Sequence, residues 1–288
     1  MQQPLKTVKC ANFDEYIAWI VPNAGEAAEI AAIEADLVKD DAPFQVHGHC
    51  AVCEVDSDFL VDFAYAPPAI DGKQLPNWRE RLECQCGLNN RMRAALHFLR
   101  GNLAASDTDL VYITEQITPL YHAFERLFPL LIGSEYLSDG TSPGRTNAQH
   151  IRHEDVTHLT FPDAHLDIVA SFDVLEHVPN YAAAFREFAR CLKSGGSLLL
   201  SVPFFAHRTT TLTRARMRDN GDIEHLETPE YHGDPLSTAG VLCFYHFGWD
   251  LLDVMRSTGF VDANVHFYWS REYGYLGGRQ LLIAAQRA

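Results

Sequence analysis

Two apolar runs of strand length, Leu166 to Phe172 and Ser197 to Val202, flank a segment in which Phe185, Phe188, Ala189 and Leu192 recur at helical spacing. The order is strand, helix, strand. The helix has a start signal at Pro179 and Asn180 and a stop at Gly195 and Gly196, so the crossover is long enough to join two parallel strands. Such a unit is right-handed, and it commits the chain to an α/β fold with helices covering a parallel sheet. Ligands in such a fold sit beyond the carboxyl ends of the strands, where strand order reverses.

Further elements extend this unit in both directions. Val111 to Thr114 reads as a strand, followed by Thr118 as N-cap and Pro119 at the first helical position, with Phe124, Leu127 and Phe128 on one helix face. A second strand runs from Leu130 to Gly133 and ends in Ser134 and Glu135. After Phe204 comes a long polar insertion to Phe247, then a helix from Trp249 to Ser257 stopped by Gly259, and a terminal strand pair at Ala263 to Trp269 and Leu281 to Ala285. An insertion of that length is expected to act as a lid.

The amino-terminal part differs in character. To about Asp41 it reads as helical: Asn23 and Glu26 have capping-box spacing, and Ile30, Ile33 and Leu37 share a face. That face needs a cover, either the main domain or a second copy of the chain, so a homo-oligomer is allowed. From His47 to Leu88 two cysteine pairs bracket an irregular stretch with Pro67-Pro68, Asp71-Gly72 and Pro76. The expected organisation is a helical segment at 1–45, a small module at 46–90 and a main domain at 91–288 with an insertion at about 205–247.

Cys50 and Cys53, then Cys84 and Cys86, form two knuckle-like pairs, and four thiolates suit a closed tetrahedral zinc site. The second pair is one residue short of the usual spacing, and His47 and His49 are alternative ligands. Cys10, Cys191 and Cys243 read as ordinary thiols. Seven cysteines, an odd number with no secretory signal at the amino terminus, favour thiols or metal ligands over a disulfide framework, and a cytoplasmic location is expected. A formal charge of −15 repels phosphate backbones, so nucleic acid is not an expected partner. No apolar stretch approaches the roughly 18 residues that span a bilayer, so neither is a membrane.

Asp155, Phe161-Pro162-Asp163, Phe172-Asp173, the run Val174-Leu175-Glu176-His177-Val178, Leu192-Lys193-Ser194-Gly195-Gly196 and Ser201-Val202-Pro203-Phe204 follow one another in a familiar order. In these residues the chain resembles the later motifs of small-molecule class I methyltransferases, of a type-11-like branch, that use S-adenosylmethionine. The resemblance is dense from Ile151 to Phe204 and weaker from about Asp109 to the carboxyl terminus. It implies a Rossmann-like, doubly wound, mostly parallel seven-stranded sheet with an antiparallel edge strand. It also implies methyl transfer to O or N of a small molecule or biosynthetic intermediate. Glu135 would then accept hydrogen bonds from the cofactor ribose, Asp155 and Val156 would meet the adenine, and Phe172 and Asp173 would face the cleft.

The departure from the family lies at the first strand, where Tyr112-Ile113-Thr114-Glu115-Gln116-Ile117-Thr118-Pro119 has no glycine. Glycine at that turn lets backbone approach a ligand closely. S-adenosylmethionine has no phosphate to cradle, and Glu115, Gln116 and Thr118 offer side-chain groups for its amino-acid end. The same loss fits a non-catalytic binding or regulatory protein that kept the fold and dropped the cofactor.

For the acceptor, histidine suits a base near neutral pH. The candidates are His207, His177, Tyr231 and His232, with His225 and Asp234 as further polar groups of the insertion.

Overall fold

The computed structural model describes residues 2–69, 74–234 and 236–288. The turn signal Asp71-Gly72 and the Asp234 side chain lie outside what is described. In chain order the elements are β1 (Thr7–Cys10), α1 (Phe13–Ile20), α2 (Ala24–Leu37), β2 (Phe44–Cys50), β3 (Val55–Val61), α3 (Asn90–Gly101), β4 (Val111–Ile113), α4 (Pro119–Leu127), β5 (Ile132–Gly133) and β6 (Leu166–Phe172). A 3-10 turn, Leu175–His177, precedes α5 (Tyr181–Cys191) and β7 (Leu192–Ser201). The insertion holds β8 (Leu212–Thr213), β9 (Ala215–Met217), β10 (Ile223–His225), β11 (Tyr231–Asp234), β12 (Ser237–Leu242) and β13 (Tyr245–His246). Last come α6 (Asp250–Ser257), β14 (Phe260–Ser270) and β15 (Tyr275–Arg287).

The strand order of the large sheet is β1-β14-β15-β7-β6-β4-β5. β4 pairs in parallel with β5 and with β6, and β6 with β7, whereas β15 runs antiparallel to β7. A single parallel bridge from Glu135 to His153 extends the pairing past β5. Chain segments fall into two compact units, one of Met1–Lys9, Ile17–Ala105 and His266–Leu282, the other of Cys10–Tyr16, Ser106–Val265 and Ile283–Ala288.

In the second unit, Val111, Tyr112, Ile113, Val169 and Leu198 to Leu200 are buried along the strands. They are apolar on both faces, as a central parallel sheet requires. Helix α5 buries Phe185, Phe188 and Ala189, the residues whose spacing predicted it, and Asn180 caps it by accepting from the Ala183 N–H at 3.1 Å. Thr118 caps α4 in the same way, accepting from the Tyr121 N–H at 3.1 Å, with Pro119 opening the helix.

One expected boundary moves. Gly195 and Gly196 do not stop the helix, which ends at Cys191; they lie inside β7, where the β6 and β7 register shifts. Gly195 has φ +78°, and a Cβ on Gly196 would sit 2.9 Å from the Lys193 carbonyl oxygen and 3.0 Å from that of Asp167. A left-handed φ at Gly195 and close backbone approach at Gly196, not helix termination, require the pair.

In the first unit, Asn23 makes no side-chain cap and instead donates to the Trp19 carbonyl at 2.7 Å, so the capping box does not form. Ile33 is 42% exposed, while Glu34 is buried and its carboxylate accepts from Trp269 Nε1 at 2.8 Å and from the Gly277 N–H at 2.7 Å. The stretch expected to be irregular contains a seven-residue hairpin, Phe44↔Val61 to Cys50↔Val55. Its inner face, Val46, Phe59 and Val61, packs with Val38, Trp78, Leu82 and Leu276 in one buried cluster. Among the described residues no helix is long and apolar enough to cross a membrane.

Candidate active site and metal centres

The strand order reverses about β4, whose neighbours are β5 and β6, so the carboxyl ends of these strands form the expected ligand edge. Acidic residues stand there: Glu115 after β4, Glu135 after β5 and Asp173 after β6. The glycine-less loop is held by side chains. Glu135 Oε1 accepts from the Gln116 N–H at 2.7 Å and the Ile117 N–H at 3.2 Å. The Gln116 amide donates to the His150 carbonyl at 3.1 Å and accepts from the Arg152 N–H at 2.7 Å. Glu115 accepts from the Thr118 hydroxyl. The glycine that this edge does require is Gly133, where a Cβ would meet the Tyr121 ring at 2.4 Å and the Glu115 carbonyl oxygen at 2.8 Å.

Asp155 closes a turn by accepting from the Thr157 N–H at 2.8 Å and hydroxyl at 2.7 Å, and it and Val156 are half-buried. Beside them Glu154 is buried and accepts from Arg152 Nε at 2.9 Å and the Thr160 N–H at 3.0 Å. Phe172 is core, its ring 6.2 Å from that of Phe124. Asp173 has φ +52°; its N–H donates to the Ser201 carbonyl at 2.9 Å and its carboxylate accepts from the Ser201 hydroxyl at 3.0 Å.

The insertion forms three antiparallel pairs, β8 with β13, β9 with β10 and β11 with β12. His207 and His225 are exposed, and Tyr231 is 58% exposed. His177 and His232 come together, ring centroids 4.9 Å apart and edge to face. Between them lies Glu176, fully buried, with neither carboxylate oxygen hydrogen-bonded among the described residues. The Glu176 carbonyl accepts from the Phe244 N–H at 2.7 Å and the Cys243 N–H donates to the Glu230 carbonyl at 2.8 Å, which draws residues 242–246 alongside.

Charge in this cluster is dense. The His232 pKa is pushed up to about 11, first by the Cys243 sulfur and then by the carboxylates of Glu176 and Glu230, against the effect of burial. Burial works against the Glu230 charge, but hydrogen bonds from His232 and His246 and the Arg214 charge hold its carboxyl below the usual range. The sequence alone marks no site role for Glu176, Glu230 or His246 and reads Cys243 as an ordinary thiol. The Glu176-His177 dipeptide was the available signal, and only the fold shows that it is buried opposite His232.

In the other unit, Cys50, Cys53, Cys84 and Cys86 bring their sulfurs within 4.8 Å of one another, with Cys53 and Cys84 at 3.8 Å. A zinc ion with bonds of about 2.3 Å to four thiolates spaces them by about 3.8 Å, so the donors fit. The Cys86 thiol, helped by the Cys53 backbone and the Arg93 charge, pulls the Cys50 pKa down to about 4 against burial; burial and the Cys50 charge push Cys53 up to about 12. Arg93 is fully buried, with Nη1 donating to the Tyr273 carbonyl at 2.7 Å and Nη2 to those of Leu82 and Gly274 at 3.2 Å. His47 and His49 face away from the tetrad, each bonded across the hairpin to Asp58 and Asp56 at 2.9 Å.

Parallel β5, β4, β6 and β7, followed by the reversed β15, make a Rossmann-like, doubly wound sheet with acids at its strand ends. Residues 132–200 match the family model described as a methyltransferase domain. A probable S-adenosylmethionine-dependent methyltransferase of Mycolicibacterium smegmatis is 33% identical over 120 residues, 40% of this chain and 46% of the relative. One of Mycobacterium tuberculosis is 33% identical over 84 residues, 29% of this chain and 28% of the relative. The chain thus spans less than half the length of these curated relatives. A solved S-adenosylmethionine-dependent methyltransferase of Mesorhizobium loti superposes with a TM-score of 0.42 at 15% identity, covering 68% of this chain and 100% of that one.

Proposed function

We propose that this protein transfers a methyl group from S-adenosylmethionine to O or N of a small-molecule acceptor. The observation that carries the reading is the strand order together with an acidic residue within two positions of the end of each of β4, β5 and β6. Acidic groups suit a ligand that bears a sulfonium and an ammonium. When bound, the cofactor supplies an electrophilic methyl on a good leaving group, and the protein's part is alignment. Glu115, Gln116 and Thr118 would hold its amino-acid end, Glu135 its ribose, and Asp155 and Val156 its adenine, with Phe172 and Asp173 lining the cleft. On the acceptor side the reading favours His177 and His232, with Tyr231 at the rim, over the exposed His207. The cysteine tetrad is read as a structural zinc site, closed and without an open position for chemistry. The chain is read as a cytoplasmic protein.

The test is calorimetric titration of S-adenosylmethionine into wild type, Glu135→Gln and Glu135→Ala, with melting curves for each. Glutamine can still accept from the Gln116 and Ile117 amides, so E135Q should hold its melting temperature and lose about tenfold or more in affinity through the ribose contact. E135A should lose affinity and about 1–2 kcal/mol of stability, because two amides lose their acceptor. Absence of binding by folded wild-type protein would favour the non-catalytic alternative, for which the engagement of both amides by Glu135 is the supporting observation.

A further inference from the structure

We propose that Glu176, His177 and His232 bind a divalent transition-metal ion on the acceptor side of the methyltransferase domain. Their ligand atoms lie within 4.8 Å of one another. Glu176 is the telling residue, because its carboxylate is fully buried with neither oxygen hydrogen-bonded among the described residues, which is costly unless a cation meets it.

The two imidazoles are arranged as ligands. His177 Nδ1 is bonded to the Leu242 carbonyl at 2.8 Å, which fixes its proton on that nitrogen and leaves Nε2 facing Glu176 Oε1 at 3.7 Å. His232 Nε2 is bonded to Glu230 Oε1 at 3.0 Å, which leaves Nδ1 facing the same Glu176 oxygen at 3.5 Å. Outer hydrogen bonds to a carbonyl and a carboxylate are the usual way a protein orients metal-binding histidines. Ligands about 2.1 Å from a tetrahedral ion stand about 3.4 Å apart, close to both spacings. Glu230 is itself held by His246 Nε2 at 3.1 Å and Arg214 at 3.2 Å, so the outer shell is anchored.

Two imidazoles and one carboxylate suit zinc, iron(II) or manganese(II). Three protein donors leave coordination positions open, as catalytic sites do. An acceptor hydroxyl bound there would release its proton to water more readily, leaving a metal-held oxygen nucleophile. This role rests on the methyltransferase reading; the binding of the ion does not.

The experiment is metal counting on the full chain. Wild type, Glu176→Gln and His232→Ala are dialysed against chelator and then reloaded with Zn2+ or Co2+. Excess metal is removed and the content measured by mass spectrometry, with circular dichroism as the check on folding. Wild type should retain one equivalent more than either variant. In Co2+ protein, the lost bands should be those of a nitrogen and oxygen site, with the thiolate bands of the tetrad intact. Equal metal content in wild type and the folded variants would overturn the proposal, leaving His232 as an imidazolium paired with Glu176. Should H232A not fold, the near-isosteric E176Q decides alone. No S-adenosylmethionine is present, so failure of cofactor binding and failure of metal binding are read separately.

Discussion

The cysteine tetrad and the Glu176–His177–His232 cluster pose the same physical problem, how to bring like-charged or desolvated donors together, and solve it differently. In the tetrad, two sequence-local pairs close on each other beside a buried guanidinium held by three carbonyls and lying 3.8 Å over the Phe59 ring. A bound ion would engage all four donors, and the hairpin's core packs around Cys50 and Cys84. In the other cluster, one dipeptide after β6 meets a histidine from a distant hairpin, and the donors are too few to close a shell. A closed set of ligands belongs to stability and an open set to chemistry.

The largest expected effect tests the first half of that contrast. Cys84→Ser should abolish zinc retention and cost more than about 4 kcal/mol, because metal-binding free energy is folding free energy in a site of this kind. Thermal melting with and without chelator is the measurement. A variant that melts with wild type, or a wild type indifferent to chelator, would show that the apolar cluster holds the hairpin by itself.

Arg93→Met comes next. If the tetrad carries the net negative charge of a zinc tetrathiolate, this residue is its counter-ion, and its removal should cost about 3 kcal/mol and speed zinc loss to a chelator. Arg93→Lys should not rescue it, because a single ammonium cannot reproduce the planar fork that reaches the carbonyls of Leu82, Tyr273 and Gly274. Zinc release at the wild-type rate from a destabilised variant would reduce Arg93 to a packing role.

How far each cluster can be read from sequence follows from the same difference. The two cysteine pairs announce themselves by spacing, and α5 by the period of Phe185 and Phe188, since these signals are local. The hairpin at 44–61 is not announced. Its outward residues His47, His49, Asp56 and Asp58 pair across the strands, and with Gly48 they make the stretch look like polar loop. Glu34 is hidden for another reason: a glutamate in a helix reads as solvated, and only the distant amides of Gly277 and Gly278, in β15, make it a buried acceptor. Glu176 belongs with Glu34. Its burial depends on β11, β12 and the segment after them, which no local pattern ties to the end of β6.

At the smallest scale, Asp173 puts the question of stability against chemistry to a single residue. It holds φ +52°, a region that costs most side chains about 1 kcal/mol or more and that aspartate and asparagine tolerate best. Its carboxylate also accepts from the Ser201 hydroxyl, tying the end of β6 to the end of β7. Asp173→Asn keeps both the left-handed tolerance and the acceptor oxygen, so its stability should match wild type within about 0.5 kcal/mol. Asp173→Ala loses both and should fall by about 1–2 kcal/mol, while Asp173→Gly recovers the backbone part and lies between them. If the acid serves only the strand ends, D173N binds S-adenosylmethionine as wild type does. If its charge faces the cofactor, D173N is as stable as wild type yet binds several-fold more weakly, and the end of β6 is built for the ligand as well as for the sheet.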